Sequence, residues 1–300
     1  MSAELLIKQL QEGDKKALAR CITIVENELE GYEQILTSLK FSSEVPVTGI
    51  TGPPGAGKST LINAVIKKLT ASNKKVGILA IDPTSPFNYG SLLGDRLRMA
   101  EHFTNENVFI RSIATRGSLG GLSAKTIEIV DVMRASDFDH IIVETVGVGQ
   151  SEVEIVGLAD TTVLVLVPEG GDDVQAIKSG VMEIADIFVV NKSDRDGANS
   201  FIKNIVQLVH SKAHSEWSIP VIKGVATKGE GVDELIDAID RHRAVGLNSK
   251  RSYLLAEKAY RLIQNSKMKG VSKSALRDQI EIELQKKDFN LYRFVRELFN

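Results

Sequence analysis

The chain has 300 residues, enough for one large α/β domain with appendages or for two small domains. Hydrophobic residues at 43% and charged residues at 25% place it with soluble globular proteins, and a net charge of −2 gives no electrostatic footprint for nucleic acid or an anionic membrane. One cysteine excludes an internal disulfide and fits a reducing cytoplasm.

In chain order, the start "MSAELLIKQLQEGD" carries acids early and lacks the basic flank and apolar core of a signal peptide. Residues 3–40 have helical spacing, with Leu18, Cys21, Ile22, Val25 and Leu29 as an apolar stripe. From Val45 the pattern changes to short β-rich runs at 47–51, 76–81, 108–112, 140–144, 162–167, 187–191 and 221–225, separated by helical stretches. Such alternation predicts an α/β fold with a mostly parallel sheet covered by helices on both faces. The longest apolar stretch, Val163 to Val167, is far too short to span a bilayer. After about Asn248 the strands stop and helical spacing returns, through Leu254, Leu255, Ala259 and Leu262 and again over 272–286. This predicts an N-terminal helical extension over 1–44, a nucleotide-binding domain over 45–246 and a C-terminal helical part over 247–300.

The first strand runs into "GPPGAGKST", with the spacing G-x-x-x-x-G-K-S from Gly52 through Pro53, Pro54, Gly55, Ala56, Gly57, Lys58 and Ser59 to Thr60. Glycines there let successive backbone N–H groups converge on phosphate oxygens, and the positive end of the following helix adds to the field. Lys58 can reach the β- and γ-phosphates, and the Ser59 hydroxyl can ligate Mg²⁺. Strand and helix patterns flank the segment on the correct sides, so it reads as a P-loop.

Ile187–Val190 lead into Asn191-Lys192-Ser193-Asp194. A carboxylate at Asp194 can accept from both the ring N–H and the exocyclic amine of guanine, whereas adenine would leave a buried carboxylate unpaired. Lys192 can lay its stem on the purine, and Asn191 can tie the loop to its neighbours. One strand later, Ala226 and Thr227 of "VATKGEG" stand where backbone could meet the guanine carbonyl. The nucleotide expected is GTP, with GDP as product. Asp139–Val143 lead into Glu144-Thr145-Val146-Gly147, an E-x-x-G in which Gly147 can sense the γ-phosphate and Glu144 can hold the Mg²⁺ shell. Asp82, ending the second strand, is a further candidate for that shell. Asp95 could join it, or could serve as a helix N-cap. Val148 stands where Ras-like enzymes carry a water-orienting glutamine, which predicts slow intrinsic hydrolysis completed by a partner.

These segments, together with "DPTSP", "GSLLGDRLRM", "ETVGVGQSE" and "PEGGDDVQAIKSGVMEIADIFVVNKSD", resemble the MeaB/ArgK family of GTPases over nearly the whole chain. The resemblance implies a homodimeric P-loop GTPase acting as a chaperone, and the cysteine content and N-terminal sequence lead us to expect it in the cytoplasm. Its partner would be an adenosylcobalamin-dependent methylmalonyl-CoA mutase or a related acyl-CoA mutase, whose cofactor loading it gates and which it protects. The resemblance also implies a metal shell of Ser59, Asp82, Asp95 and Glu144, with Lys58, Glu144 and Asp82 as catalytic residues, and a base site of Asn191, Lys192 and Asp194. It implies a relay switch over 169–178, including Asp172, Asp173 and Lys178, and a dimerisation arm over 249–300. Where the family reads P-G-A-G-D, this chain has Pro168-Glu169-Gly170-Gly171-Asp172. A loop with helix caps is the plainer alternative for that segment. Rival functions are a metallochaperone GTPase, a kinase-type protein linked to basic amino-acid transport, and a nucleotide-dependent scaffold. Only His210 and His214 among the five histidines are closely spaced, which offers little to a delivered metal.

Overall fold

The structure is a computed structural model that describes residues 3–41, 45–82, 99–114, 124–145, 155–168, 185–210, 217–268, 270–285 and 288–298. Among these, three short helices come first: α1 (Ala3–Gln11), α2 (Lys15–Glu26) and α3 (Tyr32–Thr37). The single helical pattern over 3–40 is thus broken twice, at Gly13 and Gly31, both in the left-handed region with φ of 83° and 89°. Asp14 caps α2, its carboxylate accepting from the Ala17 N–H at 2.7 Å. Leu18, Cys21, Ile22 and Val25 form the expected buried stripe. Leu29 does not join it: α2 ends at Glu26, Glu28 turns with φ of 49°, and Leu29 is exposed. Burial pushes the Cys21 thiol up to about 11, so it behaves as a small apolar side chain.

The strands are β1 (Val47–Thr51), β2 (Val76–Asp82), β3 (Val108–Ala114), β4 (His140–Glu144), β5 (Thr161–Leu166), β6 (Ile187–Val190) and β7 (Val221–Lys223). They form one seven-stranded sheet in the order β3-β2-β4-β1-β5-β6-β7, and every pairing is parallel. β1, β4, β5 and β6 are buried along their whole length, which explains the continuous apolar runs within β4, β5 and β6.

Between the strands run α4 (Lys58–Ala71), α5 (Ala124–Arg134) and α6 (Ala198–His210), and α7 (Val232–Lys267) follows β7. On one face, α1–α3 and α5 pack on Leu79, Ile81, Ile113, Ile141 and Val143. On the same face α6 buries Phe201, Ile202 and Ile205 against Leu164, Leu166, Phe188 and Val190. The other face carries α4 and the first turns of α7, with Ile62, Val65, Leu235 and Ile239 on Ile50, Ile142, Val163 and Val189. Chain direction through the sheet reverses around β1, so the crevice beyond its carboxyl end is where ligands bind in such folds.

The chain divides into two compact units, Met1–Lys258 and Ala259–Asn300. α7 is continuous across residue 247, where the strand pattern of the sequence had already ended. The second unit contains the last turns of α7, then α8 (Lys273–Glu283) and α9 (Leu291–Leu298). It exposes Ile282, Leu284, Leu291, Tyr292, Val295 and Leu298. No helix among the described residues is long and apolar enough to cross a membrane.

Candidate active site

The P-loop turns from β1 into α4 through backbone that requires glycine at two contact points. A Cβ on Gly52 would lie 2.1 Å from the Val165 carbonyl oxygen. At Gly57, φ is 86° and a Cβ would lie 2.4 Å from the Asn191 amide nitrogen. Asn191 directly follows β6 and is buried. Its Nδ2 donates to the Ala56 carbonyl at 2.8 Å, and its Oδ1 accepts from the Ala226 N–H at 3.0 Å. One side chain therefore joins the phosphate loop, the N-K-x-D turn and the segment after β7.

Lys192 adopts φ of 54° and donates from Nζ to the Gly55 carbonyl at 2.8 Å, so its stem runs from the N-K-x-D turn to the P-loop. Lys58 is buried, with Nζ 2.8 Å from the Gly52 oxygen and 3.1 Å from that of Pro53. Its ammonium is held at the mouth of the loop. Ser59 and Glu144, 85 positions apart in sequence, are both buried, and the Ser59 hydroxyl donates to Glu144 Oε1 at 2.7 Å. Beside them the hydroxyls of Thr145 and Thr51 are 2.9 Å apart, coupling the ends of β4 and β1. This contact had no signature in the sequence, because only strand register brings the two threonines together. Ser59 and Glu144 are hard oxygen donors on adjacent elements, a set that fits Mg²⁺ and not a soft metal.

Asp194 differs from the expected buried carboxylate. It lies in the turn after Asn191 with its side chain 46% exposed, and Lys228 Nζ is 3.5 Å from its Oδ2. The reason is the chain's exit from the sheet: Asp194 lies in the turn beyond the carboxyl end of β6. Ala226 is buried and Thr227 exposed in a short 3₁₀ turn, Ala226–Lys228. A groove of about 510 Å³ begins at Thr60, Ala226 and Thr227 and runs beside Asn63, Lys67 and Lys228. That is within the range of small-molecule sites. Asp82 closes β2, two residues past Ala80, which is in register with Glu144. Nothing is described of its side chain. Asp95, Gly147, Val148, Asp172, Asp173 and Lys178 lie outside the described residues.

A parallel sheet with a lysine-bearing glycine loop after β1, an acid from β4 on the loop's serine, and an N-K-x-D turn after β6 defines a P-loop GTPase. The family model described as "Methylmalonyl Co-A mutase-associated GTPase MeaB" matches residues 18–282, and the chain belongs to that family. It is 47% identical over 289 residues to a Pyrococcus abyssi relative, covering 95% of this chain and 88% of that one. The GTPase ArgK of Escherichia coli is 36% identical over 244 residues, 78% of this chain and 73% of ArgK. The mouse methylmalonic aciduria type A homolog, mitochondrial, is 37% identical over 250 residues, 77% of this chain and 60% of that protein. Among solved structures, that of an LAO/AO transport system kinase superposes with a TM-score of 0.73 at 25% identity, over 99% of this chain and 96% of that one. The chain is thus a GTPase of a family that binds GTP and GDP.

Proposed function

We propose that this GTPase is a chaperone of an adenosylcobalamin-dependent methylmalonyl-CoA mutase or a related acyl-CoA mutase, gating cofactor loading and protecting the loaded enzyme. The family description supports the partner class. The observation that carries the chemistry is the convergence of four distant segments by direct hydrogen bonds, Ser59 to Glu144 and Asn191 to both Ala56 and Ala226. In this reading residues 52–60 and Gly147 hold the phosphates, and Asn191, Lys192, Asp194, Ala226 and Thr227 hold the guanine. Ser59, Glu144, Asp82 and Asp95 hold Mg²⁺, which when bound offsets negative charge on the phosphates. Lys58 moves its ammonium from the loop carbonyls to the β- and γ-phosphates. The protein works in the cytoplasm as a homodimer built on the arm 247–300, with the helical extension 1–44 packed on the GTPase domain 45–246.

Intrinsic turnover is slow because Val148 replaces the water-orienting glutamine, and the mutase completes the site through the segment 169–178. The test is GTP turnover with and without mutase, for wild type and for Asp172→Ala and Lys178→Ala. Stimulation of the wild type on the order of 10³-fold, lost in the two variants, is expected. Equal stimulation of all three removes 169–178 as the relay. No stimulation by any cobalamin-dependent mutase overturns the chaperone reading and leaves the GTPase standing.

A further inference from the structure

The proposed guanine site is built from the ends of two elements that run in opposite directions. The chain climbs from Asp186 through β6 to Asn191, and α7 descends from Val232, just after the Ala226–Lys228 turn, past His242. Five residue steps of extended chain span about 16 Å and ten steps of helix about 15 Å, so the two struts match in length. At the upper end they are joined by Asn191 Oδ1 accepting from the Ala226 N–H. Between them, Ile187 and Val189 share one apolar cluster with Leu235, Ala238 and Ile239.

The lower end is closed by a second polar joint. His242 is buried, its Nε2 lies 3.2 Å from Asp186 Oδ1, and its Nδ1 lies 2.8 Å from the Thr161 hydroxyl. An ionised carboxylate only accepts, so Nε2–H donates to Asp186, and the neutral ring with that tautomer accepts at Nδ1 from the Thr161 hydroxyl. Asp186 Oδ2 also accepts from the Thr162 N–H at 2.9 Å. Trp217, the sole tryptophan, donates from Nε1 to the Asp186 carbonyl at 2.8 Å and sets its ring edge-on to His242 at 4.9 Å.

We propose that the Asp186–His242 pair is a positioning element for the guanine site, acting from the opposite end of the sheet by holding α7, and with it the Ala226–Thr227 segment, at a set distance from the N-K-x-D turn. The inference rests on the base-site assignment proposed above. Neither residue touches the nucleotide. A rectangle braced at one end shears, and shear at the upper end separates Asp194 from Ala226, the two groups that read the guanine edge from opposite elements. Coupling of this kind is reciprocal, so occupation of the base site must also be felt at His242 and Trp217.

The test compares GDP with inosine diphosphate, which lacks the exocyclic amine and so forfeits one bond to Asp194. In His242→Ala the affinity ratio between the two falls about fivefold or more, whereas His242→Gln, whose amide can still donate to Asp186, retains the wild-type ratio. A merely structural histidine would weaken both nucleotides alike and leave the ratio unmoved, which overturns the proposal. A second arm uses the wild type alone: Trp217 emission shifts on binding GDP and shifts less with inosine diphosphate. Equal shifts, or none, overturn the proposal even when the alanine variant does not fold. If the wild type fails to prefer guanine over adenine nucleotides, the base-site assignment itself falls; guanine preference with an unmoved ratio sinks only the present inference.

Discussion

Asp194 and Gly57 carry opposite kinds of specificity, one by a charge that can be partnered and the other by space that must stay vacant. Asp194→Asn removes a charge-assisted acceptor, and each such bond is worth about 1.5–3 kcal/mol. The carboxylate is nearly half exposed and already shares Lys228, so the lower figure applies and GDP affinity drops roughly tenfold. Xanthosine diphosphate, whose ring carbonyl can accept from the new amide, gains affinity in the variant. Calorimetry with both nucleotides checks this, and unchanged GDP affinity would reject the assignment of Asp194 to the base.

For the loop, Gly57→Ala and Gly55→Ala make a controlled pair. Both positions are left-handed, with φ of 86° and 79°, so both substitutions cost about 1–2 kcal/mol in backbone strain. A Cβ at Gly55 meets nothing within 4 Å, whereas at Gly57 it strikes the Asn191 amide at 2.4 Å. The expected outcome is a larger loss of GDP affinity in Gly57→Ala, because only that substitution dislodges the side chain joining the P-loop to the base segment. Equal losses would reduce Asn191 to a bystander.

At the scale of elements, β4 and β1 are tied at both ends, by Thr145 with Thr51 above and by His140 with Thr48 below. His140 Nε2 is 2.8 Å from the Thr48 hydroxyl, and burial, reinforced by the nearby Arg243 charge, lowers its pKa to about 4. A histidine depressed below its unfolded value of 6.5 binds fewer protons when folded, so stability rises with pH between the two values. The contribution of neutral His140 is complete above about pH 6.5 and is lost as pH falls toward about 4. Its size is on the order of 3 kcal/mol. Urea unfolding at pH 7, 5.5 and 4.5 should show a steeper acid loss in wild type than in His140→Gln, which has no proton to take up. Parallel curves would mean that other groups dominate the acid limb.

At the scale of the whole molecule, the second unit exposes several large apolar side chains among the described residues. Within Ala259–Asn300, Tyr292 is 85% exposed and Ile282 63%, and α8 and α9 enclose a groove of about 320 Å³ beside Ile282, Phe294 and Leu298. Apolar area of this kind marks an interaction surface, and the proposed homodimer is the occupant to test. Ile282→Glu with Tyr292→Glu should convert a species of twice 32.7 kDa into one of 32.7 kDa by sedimentation. A wild type that already sediments as a single chain refutes the homodimer.

What the amino-acid sequence alone specified followed from local rules. Short β-rich runs between helical stretches announced all seven strands to within two residues, and helix periodicity found the terminal helical parts. G-x-x-x-x-G-K-S and N-K-x-D were legible because phosphate and guanine recognition demand particular backbone and side chains at short, fixed spacing. Tertiary structure alone decided the rest. Strand order brought Glu144 onto Ser59 across 85 positions and Asn191 onto Ala56 across 135. It also left Asp194 exposed on its turn, and it ran α7 unbroken through the point where the strand pattern stops. The polar joint of Asp186, His242 and Thr161 at the far end of the sheet had no motif to betray it. Hydrogen bonds between distant residues depend on register and packing, which no local spacing encodes.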